Sequence, residues 1–242
     1  MQKETKEKLI AANAKFYSEV AGDFSNSRQT PWRGWEKLWK DLQNYNLQPS
    51  TILDVGCGNA RFLDFLQTKI DNFYYIGIDN NSKFIEESHN KHPSHKFIQA
   101  DLGMDLPEEI LLHKYDLIIL IAVLHHLPGY NSRIKLLNTL SKVLSNRGMM
   151  AITYWNFLEE PSLKRKIYPF TELGINSSLV EEGDYLLNWG DGNKHLRYCH
   201  YFSKDEKQKV INDIDLEFVS GFDADGKSRM LNTYQLFMKT TD

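Results

Sequence analysis

Cysteine is scarce in this chain: Cys57 and Cys199 are the only two in 242 residues. Two distant thiols make no disulfide framework, which excludes a small stapled secreted scaffold and sets a reducing, cytoplasmic location as the expectation. Long apolar runs are also missing. The longest, Leu117 to Leu124, has the length of a buried strand and falls far short of the roughly 20 residues that cross a bilayer, so no membrane partner is expected. The first eight residues carry Glu4 and Glu7 and no apolar core, unlike a secretory signal. Nor is there an excess of positive charge. Lys and Arg number 29 against 32 Asp and Glu, a net charge of −3, so any nucleic-acid contact must rest on a local basic surface. Repeats and low-complexity linkers are absent as well. With 41% hydrophobic and 25% charged residues, the composition is that of an ordinary globular enzyme domain with a substantial core.

The stretch Ile52-Leu-Asp-Val-Gly-Cys-Gly-Asn-Ala60 carries the most information. Apolar residues around Asp54 read as a short buried strand, which Gly56 and Gly58 end in a tight turn. Apolar residues at helical spacing follow from Ala60 to Leu66. Glycines at such a turn let backbone N–H groups approach a ligand where the helix dipole also favours it. Tyr75-Ile-Gly-Ile-Asp79 is a second strand ending in a carboxylate, the place where paired hydrogen bonds hold a ribose diol. A dinucleotide fingerprint would need a third glycine at position 61, where Arg61 stands. The two signals together describe a nucleoside-binding site.

Along the chain, strands are expected at 51–55, 74–79, 96–100, 116–121, 148–154, 215–222 and 231–239. Helices are expected at 4–22, 32–44, 60–68, 82–91, 133–145 and 204–212, the first with Leu9, Ala12, Phe16 and Val20 on one face and the fifth stopped by Asn146-Arg-Gly148. Residues 156–203 break the alternation. The pattern is α/β: a doubly wound, largely parallel sheet with a terminal hairpin. It divides into an N-terminal helical cap (1–48), a nucleoside-binding core (49–155), a substrate-side insertion (156–203) and a C-terminal helix and hairpin (204–242). In such sheets the ligand lies beyond the carboxyl ends of the strands, so the site should gather Asp54, Asp79, Asp101 and the segment Ala122 to Pro128. Asp101 also reads as a turn-capping aspartate. Cys57 reads as a small turn residue, with no adjoining histidine to make it a nucleophile. His125 and His126 complete no metal-ligand spacing; one of them is expected to line the pocket. Lys164-Arg165-Lys166 is a modest basic cluster beside the expected pocket mouth.

Asp54 before Gly56-x-Gly58, with Ala60 in place of a last glycine, resembles the acidic-x-Gly-x-Gly-x-Gly turn of class I S-adenosylmethionine (SAM) methyltransferases. That resemblance implies the seven-stranded Rossmann-like fold and SAM as cofactor. It implies cofactor contacts from Asp54 (the methionine end), Gly56, Cys57, Gly58, Asp79 and Asn80 (the ribose), Asp101 and Leu102 (the adenine) and Ala122. A narrower likeness covers nearly the whole chain. Tyr17-Ser-Glu-Val-Ala21, Phe24-Ser-Asn-Ser-Arg28, Trp32, Val123-Leu-His-His126, Tyr154-Trp155, Asp184-Tyr-Leu-Leu-Asn-Trp189, Arg197-Tyr-Cys-His-Tyr-Phe202 and Arg229-Met-Leu-Asn-Thr-Tyr234 are similar to motifs of the tRNA wobble-uridine methyltransferases that esterify 5-carboxymethyluridine. The resemblance implies tRNA as a partner and, for enzymes of the eukaryotic kind, a small zinc-binding activator protein. On this reading Arg197 orients the substrate carboxylate, Arg28 holds a phosphate or assists, His125 lines the pocket, and Trp155 and Tyr198 stack on the flipped-out base. Two alternatives stand beside it: a metabolite methyltransferase of the same fold, which the net negative charge favours, and a catalytically silent SAM-fold binding protein.

Overall fold

The computed structural model describes residues 1–27, 30–190 and 195–240; the Phe24 side chain lies outside the description. In chain order the strands are β1 (Thr51–Val55), β2 (Tyr74–Asp79), β3 (Lys96–Gln99), β4 (Tyr115–Leu120) and β5 (Leu144–Trp155), then β6 (Ile167–Tyr168), β7 (Asp184–Trp189), β8 (His195–His200), β9 (Glu217–Ala224) and β10 (Asn232–Met238). Seven of them form one sheet in the order β3-β2-β1-β4-β5-β10-β9. β3, β2, β1, β4 and β5 run parallel. β10 is antiparallel to both β5 and β9. This is the doubly wound sheet with a terminal hairpin that the alternation predicts.

The strands are apolar on both faces because helices cover both. Leu53, Val55, Ile76, Ile78, Ile118 and Leu120 pack into one core layer with Leu136, Leu137 and Leu140 of α6 (Tyr130–Val143), counting α1 (Lys3–Asn26), α2 (Arg33–Asn44), α3 (Arg61–Gln67), α4 (Ser82–Lys91) and α5 (Glu108–Leu111) before it. Ile52, Tyr75, Leu117 and Ile119 face the other way, onto Trp35, Leu38 and Leu42 of α2 and Phe62 and Leu66 of α3. Each side chain so buried contributes about 1.5–3 kcal/mol relative to exposure. α4 starts where Asn81 Oδ1 accepts from the backbone N–H of Lys83 and Phe84. Among the described residues no helix is long and apolar enough to cross a membrane.

Two differences from the sequence reading have local causes. The helix expected to run to 145 ends at Val143, and the chain enters β5 at once. Arg147 then takes a left-handed φ of 62°, and Gly148 is needed because a Cβ there would stand 2.9 Å from the Ser145 and Tyr115 carbonyl oxygens. The irregular insertion contains a second sheet, β6-β7-β8, all antiparallel. Period-2 alternation is masked there by polar residues that turn out to be buried. α7 (Pro161–Lys164) leads into this sheet, α8 (Lys204–Asp213) follows it, and a charged network lies at the exit.

That network fastens the insertion to the main body. Arg133 of α6, 1% exposed, donates to Glu181 Oε2 at 3.1 Å and Glu206 Oε1 at 3.0 Å. His200 lies 2.7 Å from Asp184 Oδ1 through Nδ1 and 2.7 Å from Glu206 Oε2 through Nε2. Two carboxylate acceptors on one ring require both nitrogens to donate, so His200 is an imidazolium. Glu181, Asp184 and His200 have ligand atoms within 4.8 Å of one another, but the carboxylates already accept from Arg133, Tyr198 Oη and His200, so the centre of the cluster is cationic.

Hydrogen bonds from Asp184 and Glu206 outweigh burial and raise the pKa of His200 above its ordinary value. The folded state therefore holds this proton more tightly than the unfolded chain. Its stabilisation is complete below the unfolded value of about 6.5 and disappears as pH rises through the higher folded value. Urea denaturation of wild type and His200→Gln should show a stability gap that is larger at pH 5.5 than at pH 9.

Candidate functional site: one cavity at the strand tips

A cavity of about 570 Å3 opens beyond the carboxyl ends of the parallel strands. It brings together Asp54, Gly56, Cys57, Gly58, Asp79, Asn80, Asp101, Leu102, Ala122, His125, Trp155 and Arg197, all expected at the site. Arg28 lies outside the described residues. Tyr198 is the exception: it is not at the cavity.

On the β1–α3 side, the turn is built by left-handed backbone at Gly56 (φ 75°), Gly58 (φ 53°) and Ala60 (φ 56°). A Cβ at Gly56 would stand 2.4 Å from Val123 Cγ2, whereas Gly58 faces open space. The expectation that these N–H groups reach for a ligand needs correction. Gly56 and Cys57 N–H both donate to the Ile78 carbonyl, at 2.7 and 3.0 Å, and Gly58 N–H donates to Asp79 Oδ2 at 3.0 Å. The turn spends its donors on β2, and the missing side chains are what leave room for a ligand. Ala60 fits the left-handed position with a strain of about 1–2 kcal/mol that glycine would not have.

Asp79 accepts from Gly58 N–H and, through Oδ1, from Asn81 N–H at 2.9 Å. Each oxygen keeps a lone pair, so a vicinal diol can still be held. Burial raises its pKa. Asp54 receives the Tyr75 hydroxyl at 2.8 Å. Burial, with the Asp79 charge adding to it, lifts Asp54 to about 7 against the lowering effect of Tyr75. Two desolvated acids on one wall favour a cationic ligand. Burial likewise pushes the Cys57 thiol well above its usual range, so it is no nucleophile. Asp101 is exposed, and its Oδ1 accepts from Gly103 N–H at 2.8 Å: it caps a turn and lines the cavity at once.

The opposite wall is aromatic and cationic. Arg197 of β8 is 5% exposed, with its guanidinium carbon 5.1 Å from the Phe16 ring centre and 4.9 Å from that of Trp155. It has no hydrogen-bond or ion-pair partner among the described residues, and its Nε is buried and unsatisfied. His125 lies 5.4 Å from Trp155, ring centre to ring centre. His126 also lines the cavity, with Nδ1 3.0 Å from the Tyr198 carbonyl and Nε2 2.8 Å from the Tyr17 hydroxyl. A carbonyl can only accept, so Nδ1 donates to it, and Nε2 shares a hydrogen bond with the Tyr17 hydroxyl. Strand alternation corrects the stacking role expected for Tyr198. Arg197 points into the cavity, so Tyr198 points away; it is fully buried against Leu9, Phe170, Ile175 and Leu186 and donates to Asp184 Oδ1 at 2.7 Å.

Sequence reasoning missed three contributors. α1 supplies Ile10, Asn13 and Tyr17; Asn13 also donates to the His126 carbonyl and accepts from Tyr198 N–H. Trp32, Trp35 and Arg61 form a second aromatic–cationic group, in which burial lowers Arg61 to about 10, still charged at neutral pH. The β9–β10 turn adds Asp225, Leu231 and Asn232. Only the Tyr17, Trp32 and Arg229–Tyr234 motifs carried a signal for any of this.

Residues 53–150 match the family described as Methyltransferase domain. A protein of Encephalitozoon cuniculi named as a methyltransferase is 28% identical over 82% of this chain and 84% of its own. The tRNA (carboxymethyluridine(34)-5-O)-methyltransferase of Saccharomyces cerevisiae is 32% identical over 62% of this chain, which spans half of the yeast protein's length. Among solved structures, a SAM-dependent methyltransferase from Clostridium acetobutylicum superposes with a TM-score of 0.67 at 12% identity, covering 93% of this chain and 98% of that one. An amino pentose methyltransferase from Micromonospora echinaspora, solved with SAM bound, gives 0.61 at 15% identity over 91% and 97% of the two chains. The residues fit that cofactor: an acid with lone pairs for a diol, a glycine cradle, and paired buried acids for a sulfonium. Asp79→Ala should weaken SAM binding roughly 30-fold or more in calorimetry, about 2 kcal/mol, through the lost charge-assisted bonds. By turn, strand-tip acids and sheet order, residues 53–150 carry a match to the Methyltransferase domain within the fold of class I SAM-dependent methyltransferases.

Proposed function

We propose that this domain methylates a carboxylate, that of a 5-carboxymethyl wobble uridine in cytoplasmic tRNA, to give the methyl ester. The observation that carries the reading is Arg197: a nearly buried guanidinium on the cavity wall, stacked between Phe16 and Trp155, with no counter-ion among the described residues. Burying such a charge without a partner is costly, so the site is built for an anion to complete it. SAM, when bound, supplies an electrophilic methyl group on a sulfonium.

A carboxylate is already an anionic nucleophile, so the residues need only position and desolvate it. Arg197 holds the acceptor in a two-pronged fork, which leaves one oxygen lone pair for the methyl carbon. The new O–CH3 bond replaces the S–CH3 bond, and no proton moves. That suits His126, which is held on both nitrogens. Trp155 offers an aromatic face beside Arg197 for the uracil ring. Arg28 is assigned a phosphate in the same reading. Lys166 lines the cavity, and the exposed Lys164 and Arg165 stand next to it, so the local basic surface that an acidic chain needs for RNA is at the mouth. The tRNA identity draws on the similarity to relatives named for that activity and on the late motifs around Arg197. A zinc-binding activator subunit belongs to the same proposal.

The net charge of −3 favours a second reading, a free metabolite carboxylate as acceptor. Nucleoside mass spectrometry of tRNA from a deletion strain separates the two: accumulated 5-carboxymethyluridine is expected, and an unchanged profile would favour the metabolite. Arg197→Ala should lower kcat/KM by about 30- to 1,000-fold, the 2–4 kcal/mol of a charge-assisted pair, with SAM affinity within about threefold of wild type. Parallel loss of SAM binding would remove the acceptor role. Tyr198→Phe should cost stability, about 1–2 kcal/mol by urea denaturation, without that selective loss of turnover.

A further inference from the structure

Arg61 is a second cavity cation that forms no ion pair among the described residues. Its guanidinium carbon lies 5.2 Å from the Trp32 ring centre and 4.8 Å from that of Trp35. Nη1 donates to the Thr30 carbonyl at 3.0 Å, and no other hydrogen bond or ion pair engages the group among the described residues. The two carboxylates whose charge reaches it, Asp225 and Asp64, are occupied. Asp225 accepts from Gly34 N–H at 2.8 Å, Asn232 Nδ2 at 2.9 Å and the Tyr234 hydroxyl at 2.6 Å. Asp64 pairs with Lys91 at 2.5 Å and His92 at 3.0 Å. Trp35, 1% exposed and also on the cavity lining, has an indole N–H with no acceptor. Two aromatic rings and the unused donors of Arg61 meet at one end of the cavity.

That end belongs to the acceptor half. Asp79 sits at the tip of β2, and the sheet order places β10 four strands away, about 19 Å at the usual strand spacing. Arg61 lies over Trp32 and Trp35, and Gly34 between them packs against the Tyr234 ring of β10 and donates to Asp225 of the β9–β10 turn, so the head group lies on that side. Arg197 already answers one anionic group, and a substrate with a single carboxylate leaves Arg61 unused. A polynucleotide brings a phosphodiester on each side of the modified residue.

The geometry points to a second oxyanion subsite, in which Arg61, held between Trp32 and Trp35, takes a phosphodiester next to the methylated nucleotide while Arg197 takes the carboxylate. This rests on the tRNA reading above. The planar guanidinium suits a phosphate fork, and the part-exposed Trp32 ring gives the flanking base a stacking face.

The test is binding of an anticodon stem-loop carrying 5-carboxymethyluridine to the S-adenosylhomocysteine-loaded protein, as a function of NaCl. Arg61→Ala should weaken binding about tenfold and reduce the slope of log K against log salt by about 0.7, one phosphate contact on a single strand. Arg61→Lys should restore most of the slope, which controls for a folding defect because a lysine keeps the charge without the stacked plane. An unchanged slope in Arg61→Ala would overturn the subsite. So would a loss of SAM affinity with 5′-methylthioadenosine affinity retained, since that pattern assigns Arg61 to the donor's carboxylate. Failure of the wild-type protein to bind the stem-loop would sink the tRNA reading, and the inference with it.

Discussion

The turn from Gly56 to Ala60 passes through left-handed backbone at three of its five residues, and its N–H groups are committed to the second strand. Two donors converge on the Ile78 carbonyl and a third on Asp79, so the tips of β1 and β2 cannot move independently. Asp79 is thereby held at a fixed height relative to the glycine cradle, and Asp54, tied to Tyr75 of β2, is held by the same pair of strands. Preorganisation of this sort removes ordering costs from the binding step. The residue that departs from the glycine pattern, Ala60, carries its strain inside the buried core, where packing keeps it in place.

The cavity divides its charges by side. Asp54 and Asp79 are desolvated acids on the donor wall, and both are raised by burial. Arg197 and Arg61 are stacked cations elsewhere on the lining. On the proposed reading a cationic donor meets the acids and an anionic acceptor meets Arg197, and transfer removes both of these charges, since a sulfonium becomes a thioether and a carboxylate becomes an ester.

Much of this was legible in the residues because the signals were local. All seven strands of the main sheet, the glycine turn and the acids at the strand tips follow from apolar runs bounded by Gly and Asp. Arg197 was legible only through the motif around it; nothing in its type or spacing separates a buried arginine from a surface one. Tyr198 was misread because a motif names neighbours without saying which face each takes, and strand alternation sends adjacent side chains apart. The small β6-β7-β8 sheet escaped notice because Asp184 and His200 are polar residues buried as a pair and Arg197 is buried without one, so its alternation does not read as apolar and polar. Arg61 drew attention only as a missing glycine, since its two tryptophans come from a separate helix start.

β8 does two jobs on its two sides. Arg197 looks into the cavity, while Tyr198 and His200 anchor the strand to Asp184, Glu206 and, through them, Arg133 of α6. The donor-binding strands take no part in that anchorage. If Arg197 holds the acceptor as proposed, a lineage can rewrite the inward-facing positions of this appended sheet without disturbing the strands that carry Asp54 and Asp79, so that recognition and chemistry sit on separately heritable parts of the molecule.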